Sequence, residues 1–105
     1  MDHRIVVRLP VAGTTDFDAL VGIENGLAEM LAKHRAGRIE RHEFGHGRFS
    51  VFIASNESPE STLGRIRAFL EFHGSLREAV IATCTADGGD DRVLWPPDGG
   101  RGLDP

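Results

Sequence analysis

Short stretches in which apolar and polar residues alternate occur in both halves of this chain. In residues 4–9, Ile5, Val7 and Leu9 occupy every second position, and residues 48–54 repeat the pattern. A period of two is typical of a β-strand with one buried face. Together with a polar stretch after Gly37 and an apolar one near the C-terminus, the pattern predicts strands at residues 4–9, 38–44, 48–54 and 76–85.

Two other segments show the 3.6-residue period of amphipathic helices. The first follows Thr15 or Asp16, either of which can cap it, and runs to about Arg35. The second begins at Ser58-Pro59-Glu60, with serine as N-cap and proline at the first helical position, and ends at Gly74. The predicted buried stripes are Leu20, Ile23, Leu27, Met30 and His34 in the first helix, and Leu63, Ile66, Leu70 and His73 in the second.

The predicted order is β-α-β-β-α-β, followed by the short apolar piece Val93-Leu94-Trp95. Right-handed crossovers convert this order into a ferredoxin-like sandwich of class α+β. It would have a four-stranded antiparallel sheet, two helices on one face and a short C-terminal extra strand. We expect residues 1–97 to form one ferredoxin-like domain and residues 98–105, mostly Gly, Asp and Pro, to be a flexible tail.

The net charge and the number of cysteines indicate which binding partners and which cellular compartment are favoured. The 105 residues carry a net charge of −4, which opposes non-specific binding to nucleic acid or to an anionic membrane. Cys84 is the only cysteine, so an intrachain disulfide is excluded and a reducing cytoplasm is favoured. No apolar run is long enough for a signal peptide or a membrane span. The sequence therefore predicts a cytoplasmic protein.

The segment His42-Glu43-Phe44-Gly45-His46 matches the zinc-binding pattern H-E-x-x-H. That chemistry requires both imidazoles on one face of a helix, with the glutamate beside the metal-bound water. Gly45 and Gly47 instead favour a tight turn between two strands. Phe49 and Phe52 also stand where the longer zinc motif has Gly and His. We therefore interpret the segment as the bend of a β-hairpin and assign no metal ligand.

The chain shows no other arrangement that indicates catalysis. No Ser-His-Asp set, Gly-rich phosphate loop or paired carboxylates stand out in the sequence, so we assign no catalytic residue and no cofactor. RNA-recognition modules share the predicted strand order and stack bases on aromatic residues of the third strand. Here Phe49 and Phe52 are three residues apart and point to opposite faces, so RNA binding is not favoured.

The face of the sheet opposite the helices is the candidate binding surface. We predict that it carries Val6 and Phe52 as a small apolar centre surrounded by arginine, with His42 joining from the second strand if simple alternation holds. Arginine and aromatic residues are enriched at the centres of protein interfaces. The predicted open-face binding residues are Arg4, Val6, Arg8, Arg48, Ser50 and Phe52.

Several features of the sequence resemble a family. They are the hairpin at residues 42–55, the helix start Ser58-Pro59-Glu60 and the closing Val93-Leu94-Trp95-Pro96. Over residues 4–97 the chain resembles a group of small uncharacterised bacterial ferredoxin-like proteins. Its members typically have Gly-Ser-Gly where this chain has Gly45-His46-Gly47, so His46 is not a family feature. The resemblance implies the fold and brings no established activity.

The leading hypothesis is a non-enzymatic module that binds a protein partner, or a second copy as a homodimer, through the open face. An immunity protein is one subclass of such acidic modules, although no residue of the chain supports it specifically. The alternatives are a small metal-dependent hydrolase or metal-binding domain using His42, Glu43 and His46, and an RNA-binding module.

Overall fold

The computed structural model describes residues 3–11, 17–45, 47–74, 76–84 and 90–96. The predicted helix caps at Thr15 and Asp16, the turn residue His46, and the tail at residues 98–105 lie outside these ranges. In the described part, the elements in chain order are β1 (His3–Pro10), α1 (Phe17–Lys33), β2 (Gly37–Gly45), β3 (Arg48–Ser55), α2 (Pro59–Phe72), a 3-10 helix (Leu76–Glu78), β4 (Val80–Cys84) and β5 (Asp90–Trp95).

The described strands form one five-stranded sheet in the order β2-β3-β1-β4-β5, and every neighbouring pair is antiparallel. The class is therefore α+β, as the sequence predicts. The C-terminal strand starts at Asp90 and is therefore longer than the predicted Val93–Trp95 piece. It pairs with β4 and forms one edge of the sheet. β1 and β3 hold interior positions, and β2 forms the other edge.

The main core lies between the helices and one face of the sheet. Buried residues of α1 and α2 form a single cluster with the inward residues of β1, β3 and β4, so both helices cover the same face. The largest fully buried members of this cluster are Phe49, Ile5, Leu27, Leu31, Ile53, Ile66, Leu70 and Ile81. The opposite sheet face, to which none of the described helices packs, is called the open face below.

The helical stripes agree with the prediction except at their ends. In α1, Leu20 and Leu27 are buried, but His34 is exposed and Leu31 is buried in its place. His34 lies beyond the last helical residue, where the chain turns toward β2, and Arg35 there has φ 53°. In α2, His73 is also exposed, because it is the C-cap residue.

The start of α2 is built as predicted. The Ser58 hydroxyl accepts a hydrogen bond from the backbone N–H of Ser61 at 3.2 Å, and Pro59 occupies the first helical turn. Arg65 within α2 donates two hydrogen bonds, at 2.7 and 3.1 Å, to Glu57, which lies just before the helix. These bonds hold the pKa of Glu57 below its ordinary value. The pair therefore contributes fully at neutral pH, and its contribution is lost as the pH falls through that lowered pKa.

The predicted strand at residues 76–85 is too long at its N-terminal end. Leu76–Glu78 form a 3-10 helix, closed by a hydrogen bond from Ala79 N–H to the Leu76 carbonyl at 3.1 Å, and β4 begins at Val80. The same carbonyl accepts a hydrogen bond from the Trp95 indole N–H at 3.2 Å. A contact distant in sequence thus helps to bend a segment that the apolar pattern alone assigns to a strand.

Candidate functional site

Three rows of side chains cross the open face, because partners in antiparallel strands share a face. The register puts four of the six predicted open-face residues (Arg4, Arg8, Ser50 and Phe52) on the face with Val6, and Arg48 follows by alternation. The first row is Arg38, Ala54 and Arg4, the second is Arg41, Phe52, Val6, Ala82 and Val93, and the third is Glu43, Ser50, Arg8 and Val80.

The apolar centre of the open face is largely closed. Val6 and Ala82 are fully buried, Phe52 is only 7% exposed, and Cys84 and Val93 pack against them. The guanidinium carbon of Arg41 lies 4.0 Å from the centroid of the Phe52 ring, an arrangement that permits a cation–π interaction. Strand β5 also contributes, since it places Val93 beside Ala82 while Trp95 lies on the helix side. A partner on this face would therefore meet the charged rows first.

Strand β2 adds four charged residues to the open face: Arg38, Glu40, Arg41 and Glu43. Of these, Arg41 contacts the apolar centre through Phe52. Arg4 Nε lies 3.3 Å from Glu40 Oε1, and Arg41 forms an ion pair with Glu43. Both pairs are substantially exposed, so each stabilises the fold only weakly. The open face of β1, β2 and β3 thus holds five arginines and two glutamates, an excess of three positive charges: Arg4, Arg8, Arg38, Arg41, Arg48, Glu40 and Glu43.

His42 does not lie on the open face, so that expectation is wrong. The pairing of β2 with β3 shifts by one residue between Ile39 and Arg41, as in a β-bulge. The extra residue reverses the alternation, and His42 pairs with Val51 on the helix side. There its Nδ1 lies 2.7 Å from Oε2 of Glu24 in α1. Its ring packs against that of Phe49, with the two ring centroids 5.4 Å apart. The bulge also brings Arg41 onto the open face.

The geometry of β2 does not provide the zinc arrangement of H-E-x-x-H. The segment up to Gly45 is a strand, and His42 and Glu43 point to opposite faces. His42 is bound to Glu24, and Glu43 is paired with Arg41. Among the residues that the structure describes, no three His, Cys, Asp or Glu side chains cluster in a way that could hold a metal ion.

We predict that the untagged protein contains only substoichiometric zinc after purification and does not gain an equivalent on dialysis against zinc. The physical reason is that His42 and Glu43 cannot approach one ion from opposite sides of a sheet. Elemental analysis of the wild-type chain and of His42→Ala measures this. One tightly bound zinc per chain that disappears in His42→Ala would contradict the interpretation of the segment as a hairpin.

The aromatic residues of the hairpin do not form a base-stacking platform on the open face. Phe44 and Phe49 are cross-strand partners on the helix side, with ring centroids 4.7 Å apart. Phe52 lies on the open face, but Arg41 covers its ring. Single-stranded nucleic acid binding normally uses exposed rings on which successive bases stack. The described part of the face lacks that feature.

A shallow apolar groove lies between α1 and α2. Its volume is about 480 Å³, and its lining is mostly apolar and includes Met30, Phe69 and Phe72. The charged residue in it, Arg65, is bound to Glu57. None of the described helices is long and apolar enough to cross a membrane. The groove between α1 and α2 thus offers mainly hydrophobic surface, with the His34 imidazole also in its lining.

No protein-family model matches the chain, and no curated protein matches it significantly. The resemblance to small bacterial ferredoxin-like proteins therefore stays a prediction, and the functional argument rests on the geometry of the sheet.

Proposed function

We propose that this chain is a ferredoxin-like module that binds another protein through the open face of its sheet. The strand order β2-β3-β1-β4 supports the fold assignment, with β5 as an addition at the β4 edge. The single observation that carries the functional proposal is the charged surface of the face. Arginines surround the buried row of Phe52, Val6 and Ala82, and neither helix covers them.

The size of the open face is sufficient for a small specific interface. A strand of eight residues is about 26 Å long, and five strands span about 19 Å between the edge strands, which gives roughly 500 Å² in projection. Two such surfaces together bury about 1,000 Å², near the lower limit of specific protein interfaces. The exposed arginines can form bidentate hydrogen bonds across such an interface.

Strand addition at the β2 edge is a less suitable mode of binding for this chain. β2 carries Arg38, Glu40, Arg41 and Glu43, and the bulge at Ile39/Arg41 interrupts its regular ladder. Charged side chains and bulges are the features by which natural edge strands resist pairing with other chains. The face of the sheet, rather than its edge, is therefore the surface that we assign to the partner.

Site-specific photo-crosslinking in the native host tests this proposal. We expect p-benzoylphenylalanine at Ser50, in the third row of the open face, to crosslink one defined protein. The same probe at Arg77, which is exposed in the 3-10 helix, is the matched control and should not crosslink it. The captured protein, once purified, should bind the wild-type chain and lose affinity for Ser50→Trp, which blocks the face without changing its charge.

Three outcomes would overturn the proposal. They are the absence of a specific Ser50 adduct, equal adducts from Ser50 and Arg77, and unchanged affinity for Ser50→Trp. An adduct that consists of two copies of this chain would replace the proposed partner with a homodimer through the same face.

A further inference from the structure

The part of the open face formed by β1, β2 and β3 carries a charge opposite in sign to that of the chain as a whole. The face of β1, β2 and β3 has an excess of three positive charges, whereas the chain has a net charge of −4. The remaining residues together therefore carry a net charge of −7. Such a separation creates a positive surface on an acidic protein, which attracts a partner of negative potential.

We infer that the surface recognised by the open face is a carboxylate-rich patch on another protein. This inference rests on the proposed function, because it specifies the partner of the same face. The guanidinium group is planar and binds carboxylates through paired hydrogen bonds. Arg38 lies in the first row and Arg48 beside the hairpin turn, so two exposed arginines stand at opposite ends of the β2–β3 hairpin.

The internal ion pairs of the face show how such a partner would bind. Glu40 and Glu43 already contact Arg4 and Arg41 in the isolated chain. Exposed pairs of this kind are weak, because water and salt screen them. Carboxylates of a partner can therefore replace the internal ones at little cost, and they gain strength as the interface excludes water.

A second copy of this chain and a nucleic acid are both less suitable partners for the open face than an acidic protein. In a symmetric homodimer the same patch meets itself, so each excess of three positive charges would oppose an identical one. Nucleic acid is anionic, but the described part of the face has one aromatic ring, which Arg41 covers, so it offers no platform on which bases could stack. A protein carboxylate patch avoids both difficulties.

The test uses poly-L-glutamate as a model of a carboxylate-rich surface and the ¹⁵N-labelled full chain as receptor. Amide shift changes should concentrate on the open-face strands, and the affinity should fall as salt is raised. Arg38→Glu/Arg48→Glu should bind about tenfold more weakly or worse, since two attractive contacts become repulsive. Lys33→Glu/Arg77→Glu makes the same change in net charge at exposed positions away from the face and should bind like wild type.

Parallel titrations separate the alternatives. No binding of poly-L-glutamate, or equal losses in the two charge-reversal variants, would overturn the inference. Tighter binding of transfer RNA than of poly-L-glutamate would assign the face to nucleic acid. Self-association in sedimentation experiments that Arg38→Glu/Arg48→Glu abolishes would assign it to a second copy. If the Ser50 probe captures a specific protein but poly-L-glutamate does not bind, the proposed function stands and the acidic partner is wrong.

Discussion

Val6→Asp is expected to leave the protein largely unfolded, although Val6 lies on the face without a helix. Val6 is fully buried in the middle of a central strand, against Phe52 and Ala82. The substitution removes apolar burial and places a carboxylate where water cannot reach it. We expect a loss of about 5 kcal/mol, comparable with the total stability of many small domains. Urea unfolding monitored by far-UV circular dichroism measures it.

Ser50→Asp is the matched control for this prediction. Ser50 belongs to the same face but is half-buried, and its cross-strand partner on β1 is Arg8. A carboxylate there stays hydrated beside a guanidinium, so we expect a change within about 1 kcal/mol. A Val6→Asp protein with the urea midpoint of wild type would show that the apolar centre is open to solvent. Charged substitutions can therefore test binding at the rim of the face but not at its centre.

Gly37→Ala is expected to destabilise the protein by about 3 kcal/mol, although it adds only a methyl group. Gly37 has φ +158°, and an added Cβ would overlap the backbone carbonyl oxygen of Ala54 and lie 3.0 Å from the Cα of Ser55. Backbone atoms of β3 cannot move aside without breaking the ladder on both sides. For a domain of this size the melting temperature should fall by about 12 °C or more.

Gly45→Ala, at the other end of β2, is the control for Gly37→Ala. An added Cβ at Gly45 meets no atom within 4 Å, so the same chemical change is expected to alter stability by less than about 1 kcal/mol. Thermal unfolding of the two variants and the wild type measures the difference. If both glycine variants melt at the same temperature, the close approach of Gly37 to β3 does not govern stability.

Gly37 shows which part of the fold the sequence could predict. The pattern correctly places a helix end before it, since glycine interrupts the helical period. It does not show that the β3 backbone passes directly against this residue, because that contact joins Gly37 to Ala54 and Ser55. A local pattern reports the conformation of its own segment, whereas a close approach depends on where a distant segment packs.

The bulge in β2 caused the largest difference between the open-face residues that the sequence predicts and those that the structure shows. Strict alternation puts Arg38 and His42 on one face, and the sequence around Glu40 contains no glycine that would indicate an extra residue. β2 is a polar edge strand with charged residues on both faces, so its hydrophobic pattern specifies the register only weakly. The prediction for His42 therefore failed, and the contribution of Arg41 to the open face was missed.

By itself, the sequence determined the α+β class, the order of the main elements and the interior faces of β1 and β3. These features follow from periodicity and capping, which act within a few residues. Only the tertiary structure decided three others: the place of β5 at the sheet edge, the burial of Val6 and the position of Arg41 on the open face. Each depends on strands distant in the chain meeting in one register, and no local pattern encodes that register.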